Sequence, residues 1–278
     1  MQENDTFKDL KPYKYESHLL KSNIPINNNI LEKCVESRRT AYNIQNLPYK
    51  DFNYKKNLNC NCENIIGYTR IPTGIVGPIN IKNKSNYVPV STTEGALVSS
   101  INRGCKLLNL SQTNIIVEDV GMTRSPIIKC NSLNDVYNLK ESINKNYEIV
   151  RYKFEENTRF TKLKNITFLQ EGRHLHVRFS ATCGDAMGMN MVTKSVNNVL
   201  EYLNKEFDIE IVSISGNTCT DKKSSAINLI NGRGKKVIMD ALINRDNLYD
   251  ILKVTPSQLI NLNIQKNLIG SSLVNCIG

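Results

Sequence analysis

"EGRHLHVRFSATCGDAMGMNMVTKSVNNVLEYL", residues 171–203, changes its hydrophobic period in mid-run. Over its first part apolar and polar residues alternate, so Leu175, Val177, Phe179 and Ala181 share one face and His174, His176, Arg178 and Ser180 the other. That is the pattern of a half-buried strand. Beyond the Gly184-Asp185 pair the spacing becomes three and four, and Met187, Met191, Val196, Val199, Leu200 and Leu203 form one stripe of a helix. A further strand, "DIEIVSIS", follows, and "SLNDVYNLKESINKNYEIVRYKFEE" before the stretch reads as helical. Helix, strand, helix and strand between about residues 127 and 213 predict a small α+β unit with strands on one side and helices on the other.

The flanks differ in character. Residues 1–62 are polar with weak helical pieces such as "ILEKCVESRRTAYNIQ", and read as an N-terminal helical region. In "ENIIGYTRIPTGIVGPINI", Gly67, Gly74, Gly77 and Pro78 punctuate short strand-like runs. "VPVSTTEGALVSSINRGCKLLNLS" places Leu97, Ile101, Cys105 and Leu108 on one helix face, and Ser91-x-x-Glu94 has the form of a capping box at its start. After Ser215 the pattern reads as helix broken by glycine turns, in "SAINLINGRG", "KKVIMDALI" and "SQLINLNIQKNLIG". The expected division is 1–62, 63–126, 127–213 and 214–278.

With 278 residues, 40% hydrophobic and 22% charged, the chain is long enough for two globular cores. Its net charge of +10 implies an anionic partner or substrate. The basic residues are dispersed, without a run of like charge or a nucleic-acid motif, so no nucleic-acid partner is expected and a phosphate-rich cofactor accounts for the charge equally well. Eight scattered cysteines and a polar N-terminus without a signal pattern fit reduced thiols in a cytoplasmic or cytosol-facing protein. Cys60-x-Cys62 has no second pair at a zinc spacing, so no metal is expected. No apolar stretch approaches the ~18 residues of a membrane span, which leaves an anchor upstream of the chain open.

Three groups of residues could carry chemistry. "GDAMGMN" at a helix start offers free backbone N–H groups to a pyrophosphate, although it is not G-x-G-x-x-G and its methionines also suit a core. Nearby Arg159 and Arg178 could pair a phosphate or be surface charge. In "GMTRSP", Arg124 reads as a fork projected from a loop or as a solvated loop arginine. Asp221-Lys222-Lys223 is either a solvated turn or a built cluster, in which a desolvated lysine would stabilise a forming oxyanion. His174 and His176 read as exposed strand residues.

In their order, "ENIIGYTRIPTGIVGPINI", "TTEGALVSSINRGCKLLNL", "GMTRSP", "RFSATCGDAMGMNM", "SGNTCTDKKSSAINLINGRGKKV" and "QKNLIGSS" closely resemble the hydroxymethylglutaryl-CoA reductases, in the class I form of the eukaryotic and archaeal NADPH-using branch. The resemblance covers roughly residues 60 to 278. It implies reductive deacylation of 3-hydroxy-3-methylglutaryl-CoA to mevalonate and CoA with two NADPH, in isoprenoid and sterol synthesis. The implied fold is α+β: a large substrate-binding domain with an inserted ferredoxin-like cofactor domain and an N-terminal helical region. Glu94 and Lys222 match the catalytic acid and the oxyanion-stabilising lysine. Ser100, Asn102, Arg103, Lys106 and Lys253 match coenzyme A positions, and Arg124, Ser215, Asp221, Lys223 and Lys266 match positions around the hydroxymethylglutaryl group. Thr158, Arg159 and Phe160, with Asp185, Ala186, Met187, Gly188, Met189 and Asn190, match the NADPH segments.

The sequence departs from the family pattern in three places. Val120 stands where the family loop has Asp, Thr158 stands for a Ser and keeps the hydroxyl, and the sequence ends before the segments that carry the family's catalytic Asp and His. The expectation is therefore a C-terminally incomplete reductase, whose complete form is a homodimer or tetramer and is held at the endoplasmic reticulum if an anchor precedes it. The alternative is an inactive truncated paralogue that only binds CoA or NADP(H), or pairs with a full-length subunit.

Overall fold

The computed structural model describes residues 7, 9–22, 24–82, 84–222 and 224–274. Lys223, one of the expected substrate-binding residues, lies outside them. The backbone divides into two compact units, Met1–Gly77 with Tyr87–Asn102, and Pro78–Asn86 with Arg103–Gly278.

The first unit begins with α1 (Tyr15–Lys21) and α2 (Asn28–Ala41). Asn27 caps α2 by accepting the Ile30 N–H at 3.0 Å. Tyr15, Leu19, Leu31, Cys34, Val35 and Tyr54 make its core. Arg38 is fully buried among them. It donates to Pro12 O at 3.1 Å, Ile65 O at 2.7 Å and Glu16 Oε2 at 2.5 Å, so the buried cation joins these segments with each of its three nitrogens engaged. β1 (Thr73–Ile81) and β2 (Lys84–Ser91) form a two-stranded sheet. The expected capping box is not formed: the Ser91 hydroxyl pairs with Thr73 Oγ1 at 2.8 Å, and the helix begins only at Leu97. α3 spans Leu97–Asn109. Its buried residues are Cys105 and Leu107, whereas Ile101 on the predicted face is exposed.

The second unit is organised by β6 (His174–Thr182). β5 (Lys162–Glu171) pairs along one edge of it. The opposite edge takes two segments in succession: the end of β3 (Gln112–Arg124), with Met122 opposite Ala181 and Arg124 opposite Phe179, then β4 (Ile127–Cys130), with Ile127 opposite His176. Pro126 O accepts the Val177 N–H at 3.1 Å and bridges the interruption. β7 (Ile209–Ser213) pairs with β4, and β8 (Gly234–Leu242) with the first part of β3 from Gln112–Leu242 to Gly121–Gly234. Every one of these pairings is antiparallel.

α4 (Leu133–Lys145), α5 (Tyr147–Glu155) and α6 (Met189–Glu206) supply one apolar layer. Val136, Leu139, Ile143, Val150, Phe154, Val192, Val196, Val199, Leu200 and Leu203 pack with Leu175, Val177, Phe179 and Ala181 of β6. The predicted apolar face of the strand is therefore the core face.

Several expectations need correction. Met187 and Met191 are 61% and 40% exposed and stand outside the α6 stripe; the helix starts at Met189, after Gly188 has taken a left-handed φ of 78°. β6 is not half-buried, because Arg178 and Ser180 on its polar face are buried as well. "KKVIMDALI" is strand β8 and not a helix. Its apolar residues fit two templates over so short a run, and the partner that decides between them is "TNIIVED" of β3, more than a hundred residues away. Arg124 ends a strand and is buried instead of projecting from a loop. Downstream lie α7 (Ala226–Asn231), α8 (Arg245–Leu252), α9 (Pro256–Leu262) and a π-helical run Asn263–Gly270.

Candidate active site

The site is built where the interrupted edge of β6 meets the segment from Ser215 to Lys222. The Gly216 N–H donates to Ser125 O at 2.7 Å. No side chain fits at Gly216, since a Cβ would stand 2.5 Å from Ile127 Cγ1 and 2.7 Å from His176 Nδ1. Thr218 Oγ1 lies 2.6 Å from Ser125 Oγ and 3.2 Å from His176 Nδ1, and Thr218 O accepts from Arg178 Nε at 3.2 Å. One residue on, Cys219 O accepts the Thr123 hydroxyl at 2.8 Å. The segment is pinned from below by groups of β3, the interruption and β6.

This pinning imposes an unusual backbone. Asn217, Thr220 and Lys222 all take positive φ, at 60°, 50° and 61°. Three such non-glycine residues in six store conformational strain that the surrounding bonds must hold. The result is that Asp221 and Lys222 emerge at the rim, with Asp221 half-buried and Lys222 exposed, so Lys222 is not the desolvated lysine that the built-cluster reading describes.

Cations gather around the loop. Arg124 Nη1 lies 4.0 Å from Cys219 Sγ, and Ser215 Oγ shares a hydrogen bond of 3.2 Å with the same sulfur. Burial pushes the Cys219 thiol up, but the Ser215 hydroxyl and the Arg124 charge outweigh it and hold the pKa below the ordinary value. Arg178 is lowered, first by burial and then by the nearby charge of Arg233. Arg124 Nε and Arg178 Nη2 are buried and have no hydrogen-bond partner among the described residues. Unspent buried donors on guanidinium groups suit an anion.

Arg233 was missed by sequence reasoning, which treated "NGRGKKV" only as part of a longer motif. Its Nε donates to Thr123 Oγ1 at 3.1 Å, and its Nη2 lies 3.5 Å from Asp221 Oδ1 and 3.7 Å from Met189 Sδ. The available signal was an arginine set between two glycines. Both have φ above +70°, and Gly234 opens β8 opposite Gly121.

The expected cofactor residues form a second group. Gly184 and Phe160 are neighbours: a Cβ on Gly184 would lie 4.0 Å from Phe160 Cβ. The Arg159 guanidinium sits 4.6 Å from the Phe160 ring centre, on a ring 63% exposed, and Thr158 Oγ1 holds the turn by donating to Thr161 O at 2.9 Å. Asp185, Ala186, Met187 and Asn190 are exposed around the first turn of α6, and Met189 is half-buried. At Gly188 a Cβ would collide with Cys183 Sγ. A cationic and aromatic platform beside an open helix start is a fit for a phosphate-bearing nucleotide.

The remaining expected residues are not brought into this cluster by any described contact. In the first unit, Glu94 is exposed and its N–H donates to Thr92 Oγ1 at 2.9 Å. Asn102 has its amide engaged by Ile75 O at 3.2 Å and the Gly77 N–H at 2.7 Å, and Ser100 is exposed. In the second, Arg103, Lys106, Lys253 and Lys266 are exposed, with Lys253 closing α8 in a left-handed conformation. Among the described residues there is no cluster of three or more His, Cys, Asp or Glu that could hold a metal, and no helix long and apolar enough to cross a membrane.

Residues 26–278 match the family model of hydroxymethylglutaryl-coenzyme A reductase, and the chain belongs to that family. Among similar proteins, the 3-hydroxy-3-methylglutaryl-coenzyme A reductase of Agrotis ipsilon is 43% identical over 250 residues, covering 88% of this chain and 30% of that protein. Reductase 3 of Solanum tuberosum is 42% identical over 253 residues, covering 89% and 44%. The chain thus spans less than half the length of these curated relatives. Among solved structures, the class II reductase of Streptococcus pneumoniae, described as bound to NADPH in open conformations, superposes with a TM-score of 0.57 at 14% identity, over 89% of this chain and 65% of that one. At that identity the likeness is one of fold.

Proposed function

We propose that the chain carries part of the machinery for reductive deacylation of 3-hydroxy-3-methylglutaryl-CoA to mevalonate and CoA, as a step of isoprenoid and sterol synthesis. The observation that carries this reading is the pinned segment Ser215–Lys222 with Arg124 buried against it. Arg124 and Ser215 hold the acyl part of the substrate, Arg124 through its unspent Nε, and Asp221 and Lys223 flank it. Lys222 supplies positive charge to the carbonyl oxygen as it becomes an oxyanion. Glu94, in the first unit, is assigned the proton donor on its motif alone. Ser100, Asn102, Arg103, Lys106 and Lys253 are assigned to coenzyme A, and Lys266 to the substrate, on the same ground.

NADPH, when bound, supplies hydride. Thr158, Arg159 and Phe160 would hold its phosphate-bearing end, and the segment from Asp185 to Asn190 would present its N–H groups to the pyrophosphate. We read residues 127–213 as a ferredoxin-like cofactor domain. The chain order β4, α4 and α5, β5, β6, α6, β7 and the spatial order β7-β4-β6-β5 support this reading. A homodimer or tetramer facing the cytosol completes the proposal.

The test is a calorimetric titration of the purified protein with NADPH and with coenzyme A, followed by NADPH oxidation on addition of the acyl-CoA. Binding of both ligands, with oxidation that depends on the acyl-CoA, is expected. Binding without oxidation favours the paralogue that only binds, and binding of neither overturns the proposal.

A further inference from the structure

We propose that Arg233 is a positioning residue that couples the substrate segment to the cofactor segment. The inference rests on the function proposed above but assigns a residue which that reading does not use. Three segments with separate assigned tasks converge on one side chain: Thr123, next to the substrate arginine; Asp221, next to the oxyanion lysine; and Met189, at the start of the cofactor helix.

Geometry makes Arg233 more than an ordinary surface ion pair. Its side chain is only 17% exposed and that of Asp221 21%, so solvent screens the pair incompletely. The guanidinium is planar and its donors keep a fixed mutual geometry, so moving one partner shifts the rest. Thr123 Oγ1 accepts from Arg233 Nε while donating to Cys219 O, which extends the connection into the strained loop. Met189 Sδ touches the same guanidinium and opens α6 directly after Gly188. A displacement of the α6 start by a bound nucleotide is therefore transmitted to Thr123 and Asp221 through one rigid group.

Coupling between two sites is a difference of binding free energies and acts equally in both directions. The probes are 3-hydroxy-3-methylglutarate and NADPH, titrated calorimetrically into the whole protein, each with and without the other. In the wild type we expect each ligand to change the affinity of the other by about 5-fold or more. Arg233→Met should bring that factor close to one while leaving each ligand's own affinity within about 3-fold, and Arg233→Lys should restore it only in part. Coupling that survives in Arg233→Met overturns the inference. So does a loss of both affinities in proportion to lost thermal stability, the signature of a purely structural role. If Arg233→Met does not fold, Met189→Leu removes the sulfur contact and keeps the packing; reduced coupling supports the inference and undiminished coupling overturns it. A wild type that binds both ligands without coupling defeats this inference alone. One that binds neither defeats the proposed function as well.

Discussion

Lys222 takes a left-handed backbone at the exposed rim of the segment 215–222, and among the described residues no hydrogen bond or ion pair engages its ammonium. In active protein, Lys222→Ala should lower turnover by about 10²–10³-fold, the usual cost of losing one oxyanion donor, with coenzyme A affinity unchanged. Equal loss of turnover and affinity would assign the lysine to binding instead. Gly188 is the counterpart on the proposed cofactor side. Gly188→Ala adds a Cβ against Cys183 Sγ at a φ of 78°, and should cost about 1–3 kcal/mol and weaken NADPH binding, measured by thermal unfolding and titration. Such single positions were legible as motif letters in the sequence. What each letter does was not: Arg124 reads as a loop fork or a solvated loop arginine because Gly121 and Pro126 flank it, whereas it is buried with its guanidinium beside Cys219, 95 residues away.

At the scale of elements, the period change in residues 171–203 located β6 and α6 correctly, because one face of each must meet a core and spacing records that. The second face of β6 was illegible. Arg178 and Ser180 are polar, and polar residues on an alternating strand imply solvent unless another segment covers them, as the Thr218 segment does for Arg178 and Val120 of β3 does for Ser180. α5 shows how an element is fastened. Glu155 accepts the Leu163 N–H at 3.0 Å and Lys162 Nζ at 2.9 Å, joining the end of α5 to the start of β5. Burial raises its pKa, but Lys162, the Leu163 N–H and Arg151 together lower it below the ordinary carboxylate value of 4.5. A depressed folded-state pKa gives stability that is present above the unfolded value and lost as pH falls through the folded one. Chemical unfolding measured below pH 4.5 should thus show a loss of stability in the wild type that is smaller in Glu155→Gln.

Across the whole molecule, the cysteines among the described residues sort by environment. Cys60 and Cys62 are exposed, and Cys34, Cys105, Cys130, Cys183 and Cys219 are buried. Burial, reinforced by the charge of Glu16, pushes the Cys34 thiol up to about 12. Alkylation of native protein followed by peptide mapping should label Cys60 and Cys62 first and Cys34 only on unfolding; early labelling of Cys34 would show that the first unit opens locally. In the division into two units Pro78–Asn86 groups with the second unit and Tyr87–Asn102 with the first. Composition reports local bias, and a chain that crosses between units and returns leaves no trace in it.

The β5–β6 and β3–β8 pairings differ in a way that bears on how the protein reaches its native state. β5 meets β6 through a tight turn at Gly172, whereas β3 can meet β8 only after more than a hundred intervening residues have been brought together. Loop-closure entropy makes the first pairing early and the second late. Pulse-labelled hydrogen exchange during refolding should protect the β5–β6 amides before those of β3 and β8, and simultaneous protection would refute this order. The segment 215–222, tied to the end of β3 by the Thr123 to Cys219 O hydrogen bond, also closes a long loop, so its native backbone forms after the β5–β6 scaffold.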